Sequence, residues 1–189
     1  AAPARADLYE RADLPPAPAR RRGARPIAGV GRVHFWNGGS LWIGRDAGRG
    51  QPHAHHAIQI TLALEGRVLL REREDRAWSE FHGAIVLPHR RHQFDGCGSW
   101  VAQLFVEPET APGRALLERF AGAPIEALPL DTLDAMLSLV RSGCESASAD
   151  DALIAAGQRA IALLLGPAPS GPLADPRILA VADRLVARA

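Results

Sequence analysis

The sequence predicts an α+β chain, with short antiparallel strands in its first half and helices in its second. Two observations predict it. Between residues 26 and 110, short β-rich runs alternate with Gly, Asp and Asn breaks at regular spacing, the pattern of a sandwich or barrel. From Ala111 to Leu165 the apolar residues fall instead at helical spacing. Strands first and helices afterwards place the two in separate layers around one core. With 189 residues and 20.2 kDa, the chain has room for one ordinary domain and an appendage.

Residues 1–25 carry six Arg against Asp7, Glu10 and Asp13, and stretches such as Leu14-Pro15-Pro16-Ala17-Pro18. That composition predicts a flexible, solvated arm, with contact to DNA through Arg20-Arg21-Arg22 as the sharper alternative. The arm has no apolar h-region, so it is no secretory signal. The chain does not begin with Met, as a trimmed fragment would not.

Strands are expected at Arg32–Trp36, Leu41–Ile43, Ala57–Leu64, Arg67–Arg73, Ala77–Phe81, Ala84–Leu87 and Val101–Val106. Glu65-Gly66 between two of them reads as a tight hairpin. Residues 111–166 form the helical segment. Leu116, Leu117 and Phe120 mark a first helix after Pro112-Gly113. Leu133, Met136, Leu137 and Val140 give a second, starting near Asp131-Thr132. A third starts at Asp150-Asp151, where acidic residues suit the positive end of the helix dipole, and ends at Gly166-Pro167. Residues 167–175 read as a linker. Asp175-Pro176 then caps one amphipathic helix over 176–189, with Ile178, Val181 and Leu185 in a stripe.

Composition excludes several classes. All 22 basic residues are Arg, and the net charge is only +1. Beyond residue 25, sixteen Arg face eighteen acids, so the body carries no basic footprint for nucleic acid. No run approaches the roughly 18 apolar residues of a membrane span. Cys97 and Cys144 show no CxxC spacing. A disulfide framework is not indicated, and a cytoplasmic location is expected.

The chemistry lies with the histidines. On the strand from His55 to Leu64, Ile58, Ile60, Leu62 and Leu64 share one face, which another layer must cover. His55, Gln59 and Thr61 share the other, small or polar face, which leaves space for a ligand or ion. His53 lies two residues before His55 and points the same way, and His92 can approach from a neighbouring strand. Imidazoles with an oxygen donor suit a divalent transition metal such as Zn, Fe, Ni or Cu, with His53, His55, Gln59 and His92 as ligands. Acid toward pH 6 is expected to weaken such binding. Gln103 and Phe105 alternate on one face of a later strand and could line the same cavity, as could one of Trp36, Trp42, Trp78 and Trp100.

The spacing His53-Ala54-His55, three residues, Gln59, six residues, Gly66 resembles the first motif of the cupin family. Gly83, Pro88 and His92 resemble its second motif in shortened form. Gln59 stands where the family has an acid; a neutral amide is a weaker ligand and cannot serve as a base. A wider resemblance, from His53 through Gly66, Gly83–Pro88 with His92, residues 106–116 and Ala174-Asp175-Pro176-Arg177-Ile178, is to AraC-type transcription regulators.

That resemblance implies a cupin-like antiparallel β-barrel (a double-stranded β-helix) as effector sensor, followed by a helical dimerisation segment. It further implies two helix-turn-helix units, of which residues 176–189 would be the first, truncated helix. The implied function is a ligand-sensing, homodimeric module with no catalytic residue, touching DNA only through a domain absent from this sequence. The effector pocket, for a small molecule or metal, would comprise His53, His55, Gln59, Thr61, His92 and Gln103. A seam of Leu153, Ile154, Ile161 and Leu164 would join two copies. The competing reading is a small metal-dependent cupin enzyme, a dioxygenase or isomerase.

Overall fold

A computed structural model describes residues 29–46, 48–146 and 149–166. The expected arm (1–25), linker (167–175) and final helix (176–189) lie outside the described residues.

The strands are β1 Gly29–Trp36, β2 Gly39–Asp46, β3 Ile58–Ala63, β4 Val68–Arg71, β5 Ser79–Phe81, β6 Gly83–Val86, β7 Gln93–Asp95, β8 Trp100–Val106 and β9 Ile125–Ala127. The helices are α1 Ala111–Arg119, α2 Leu130–Glu145 and α3 Ala149–Leu165. Every ladder is antiparallel. One sheet has six strands in the order β1-β2-β8-β3-β6-β9; the other has three, β5-β4-β7. The mixed fold with antiparallel sheets agrees with the expected class. A closed barrel does not appear: among the described residues the ladders form two sheets.

The central strand β3 explains the layering. Ile58, Ile60 and Leu62 are fully buried, and with Leu64 they pack on Leu116, Leu133, Met136, Val140, Leu153 and Leu164 of the helices. Each such aliphatic side chain contributes roughly 1.5–3 kcal/mol by leaving water. The opposite face carries Ala63, which packs with Ala84, Val86 and Val101 against Val68, Leu70 and Phe94 of the smaller sheet. The large sheet is therefore the middle of three layers, with a dry core on its helix side and a thinner one toward the small sheet.

Two expectations fail for reasons of topology. Glu65-Gly66 is no hairpin: β3 pairs with β6 and β8, whereas β4 pairs with β5 and β7. Both edges of β3 are already filled, so the chain crosses to the other sheet. Gly66 makes the crossing with φ +58, the left-handed region where a Cβ is unfavourable. Strands β7 and β9 were not anticipated. Each has three residues, too few to show periodicity, and each forms because a partner edge is available, on β4 and β6.

The helices begin close to their expected positions. Thr110 caps α1 by accepting from Gly113 N at 3.1 Å, with Pro112 in the first turn. Helix α2 starts at Leu130, after Pro129, which offers no side-chain cap. Gly143 lets α2 and α3 approach closely: a Cβ there would meet Leu153 Cδ2 at 3.1 Å. Leu153, Ile161 and Leu164 are buried within the chain's own core, so they cannot form the exposed seam expected of them; Ile154 is half-buried. Leu139, half-buried, and Leu163, exposed, lie outside the buried core on the same two helices. No helix among the described residues is long and apolar enough to cross a membrane. Neither cysteine is in a disulfide.

Candidate functional site

Strand β3 presents Gln59 and Thr61 to the side away from the helices, and both are buried. In register on β8, Phe105 lies opposite Gln59 and Gln103 opposite Thr61. Paired residues share a face, so all four look the same way. His53 and His55 precede the strand in an irregular lead-in, which begins at Ile58 rather than at His55. An antiparallel bridge ties that lead-in to the segment before β7: His53 N donates to His92 O and His92 N to His53 O, each at 2.9 Å.

This bridge brings three imidazoles together from positions 39 residues apart. Ring centroids lie 4.4 Å apart for His53 and His92, 5.1 Å for His55 and His92, and 5.6 Å for His53 and His55. One ring nitrogen of each falls within 4.8 Å of the others. Phe105 packs edge-on against His55, with centroids 5.6 Å apart. Exposure is graded: His53 is exposed, His55 half-buried and His92 fully buried.

Hydrogen bonding decides which nitrogens are available. The Nδ1 of His53, His55 and His92 faces the carbonyl of Gln51, Ala57 and Arg90 at 2.8, 2.8 and 2.9 Å. A carbonyl can only accept, so each Nδ1 carries the proton and each neutral ring has its lone pair on Nε2. Gln59 Oε1, another acceptor, lies 2.9 Å from His55 Nε2 and 3.3 Å from His92 Nε2. Its amide nitrogen donates to Thr61 Oγ1 at 3.0 Å. Acceptors thus converge where no proton is supplied, the electronic requirement of a cation site. The backbone carbonyls supply the outer partners that orient ligating histidines.

The amide has a second use. Turned by a half rotation, it would donate from its NH2 to both imidazoles and accept from the Thr61 hydroxyl. Gln59 can therefore satisfy the site with or without a cation, which a carboxylate could not. Burial draws the His92 pKa from 6.5 down to about 4; the Arg90 carbonyl opposes this, and the neighbouring His53 and His55 add to it. His92 is consequently neutral at pH 7 and ready to ligate.

The six residues expected in the pocket are arranged in depth. His53, His55, Gln59 and His92 meet directly, Thr61 stands behind Gln59, and half-buried Gln103 lies beside Thr61. Of the four tryptophans only Trp42 joins this face, opposite Gln103; Trp36 and Trp100 pack on the helix-side core. Trp78 lies between the guanidinium groups of Arg49 and Arg71, 4.9 and 4.5 Å from its centroid. Sequence reasoning did not find that β1 extends the face outward. Val33 is opposite Trp42 and Phe35 opposite Ser40, yet they are 47% and 73% exposed. Alternation along Arg32–Trp36 could have shown these as inward positions; their exposure follows from the small sheet having only three strands. A second group, His56 with Glu107 and Glu109, also went unnoticed.

No family model matches the chain, and no curated protein matches it. Solved structures do resemble it. The AraC-like transcriptional activator CuxR is 11% identical over 85% of this chain and 63% of its own, with a TM-score of 0.49. A cupin domain from Bordetella pertussis is 14% identical over 45% of this chain and 99% of its own, with a TM-score of 0.35. A mutant of the Bacillus subtilis oxalate decarboxylase OxdC is 11% identical over 53% of this chain and 35% of its own, with a TM-score of 0.35. Regulators and enzymes thus both stand among the neighbours, each at a TM-score below 0.5.

Proposed function

We propose that the chain is the ligand-sensing module of an AraC-type transcription regulator, holding a divalent transition metal, or a small molecule coordinated like one, at His53, His55 and His92. The carrying observation is the convergence of imidazole Nε2 lone pairs on the Gln59 amide oxygen. The residues fit a borderline cation such as zinc or nickel: neutral nitrogen donors, oriented by backbone carbonyls, with one side open at exposed His53. Once bound, the metal would supply a Lewis acid. Among the described residues no carboxylate belongs to the histidine group, and Gln59, which cannot serve as a base, stands where an acid would. A centre that binds without a base favours sensing over catalysis.

In this reading the face running from Gln59 through Phe105 to Phe35 receives the organic part of an effector, aromatic and open to solvent at its outer end. Dimerisation would use the outward side of α2 and α3, at Leu139 and Leu163, and would link effector binding to the attached DNA-binding domains.

Titration calorimetry with Zn, Ni, Fe(II) and Mn tests the reading. Binding at micromolar Kd or tighter, reduced by one equivalent in His55→Ala, is the expected result. Failure of every metal to bind would remove the metal-sensing reading. Stoichiometric Fe or Mn accompanied by turnover of a substrate would replace it with the enzyme reading.

A further inference from the structure

We propose a second divalent-cation site, suited to zinc, on the rim of the large sheet: His56, Glu107 and Glu109 as ligands, with His89 as a positioning residue. It shares no ligand with the histidine pocket and does not depend on that pocket's function. One ligand atom from each of His56, Glu107 and Glu109 lies within 4.8 Å of the others. His56 Nε2 is 2.8 Å from Glu109 Oε1, and His56 Nδ1 is 3.2 Å from His89 Nε2. Imidazole nitrogen and carboxylate oxygen are both zinc donors, water can complete the set, and the two negative charges balance the dication.

The groups are brought together by a firm backbone. His56 precedes β3, His89 sits between β6 and β7, and both glutamates lie between β8 and α1. His89 N donates to His55 O at 2.8 Å, and Glu107 N donates to Gly38 O at 3.0 Å. Thr110 closes the turn beneath Glu107 by donating to its carbonyl from N at 3.1 Å and from Oγ1 at 2.7 Å. The Arg114 guanidinium donates to the Glu109 carbonyl. His89 adopts φ +58, in the left-handed region that favours glycine. It is the residue whose ring touches His56.

The ring contacts account for the proton. His56 Nε2 faces the Glu109 carboxylate, an acceptor, and so carries the proton of the neutral ring, while the Nδ1 contact with His89 Nε2 takes its direction from the tautomers. On metal binding the Nε2–H bond breaks and that proton leaves to water, the Nε2–Zn bond forms, and Nδ1 takes a proton from water, so the ring stays neutral. The His56 Nδ1–H then donates to His89 Nε2 and holds the ring, the arrangement in which an outer partner orients a ligating histidine. Binding would tie the lead-in of β3 to the segment that starts α1, joining sheet to helical layer.

Zinc titration of the chain, followed by equilibrium dialysis and by melting temperature, tests the site. Two equivalents are expected. The pocket variant His53→Ala/His55→Ala should keep one, and Glu107→Gln/Glu109→Gln, at exposed isosteric positions, should remove the other. His89→Ala should weaken the rim site roughly 10- to 100-fold without abolishing it. If the pocket takes no metal, the unaltered chain should bind one equivalent and Glu107→Gln/Glu109→Gln none. That outcome would end the pocket reading and leave the rim site standing. The rim site is overturned if Glu107→Gln/Glu109→Gln, folded by circular dichroism, binds as much zinc as the unaltered chain.

Discussion

Acid should destabilise this fold through His92 in particular. Its ring is 0% exposed, and burial draws its pKa from 6.5 to about 4. In the unfolded chain it titrates near 6.5. Between those values the unfolded state binds a proton that the folded state refuses, so stability rises with pH across the interval. Nothing is lost above pH 6.5, and the loss is complete near pH 4. At about 1.4 kcal/mol per pH unit, that interval amounts to about 3 kcal/mol. Urea unfolding with a chelator present, from about pH 7 to about pH 4.5, measures it. His92→Gln is the reference, since it cannot titrate. The stability difference between the unaltered chain and this variant should shrink by about 2–3 kcal/mol over the range. Parallel pH profiles would refute the reasoning, because the loss would then belong to other groups. The sequence alone suggested that acid acts near pH 6; burial moves the window for this ligand well below that.

Two further outcomes follow from named contacts. Gln59→Glu should tighten divalent metal binding by about tenfold or more, since a charge replaces a dipole beside the cation; unchanged affinity in calorimetry would show that Gln59 is no ligand. Gly113→Ala should lower stability by roughly 1–3 kcal/mol, because a Cβ there would run into the Glu107 carbonyl and lie 2.8 Å from Pro108 Cα. A melting temperature equal to that of the unaltered chain would mean that α1 does not seat as tightly as these contacts require.

Much of the fold was legible because it is written in local periodicity. The alternation of Ile58, Ile60, Leu62 and Leu64 with Gln59, Thr61 and Ala63 sorted β3 into a dry face and a polar one, and the structure buries each on its own side. The helical spacing of Leu133, Met136, Leu137 and Val140 likewise marked the face of α2 that packs on the sheet. The four residues His53, His55, Gln59 and His92 could be grouped because one short stretch of sequence, from His53 to Gln59, carries three of them.

What the chain could not reveal depends on partners distant in sequence. Strands β7 and β9 exist only because β4 and β6 leave an edge for them. Glu65-Gly66 crosses between sheets because β6 and β8 already flank β3, a matter of pairing and not of turn chemistry. The exposure of Val33 and Phe35 depends on how far the other sheet reaches. His56, His89, Glu107 and Glu109 come from three separate segments, so no spacing rule joins them. By itself the sequence determined which side chains seek the core and which carry chemistry, because hydrophobicity and side-chain type are local properties. Only the tertiary structure decided which of those side chains meet, and how deeply His92 is buried, because contact and desolvation are set by the whole chain.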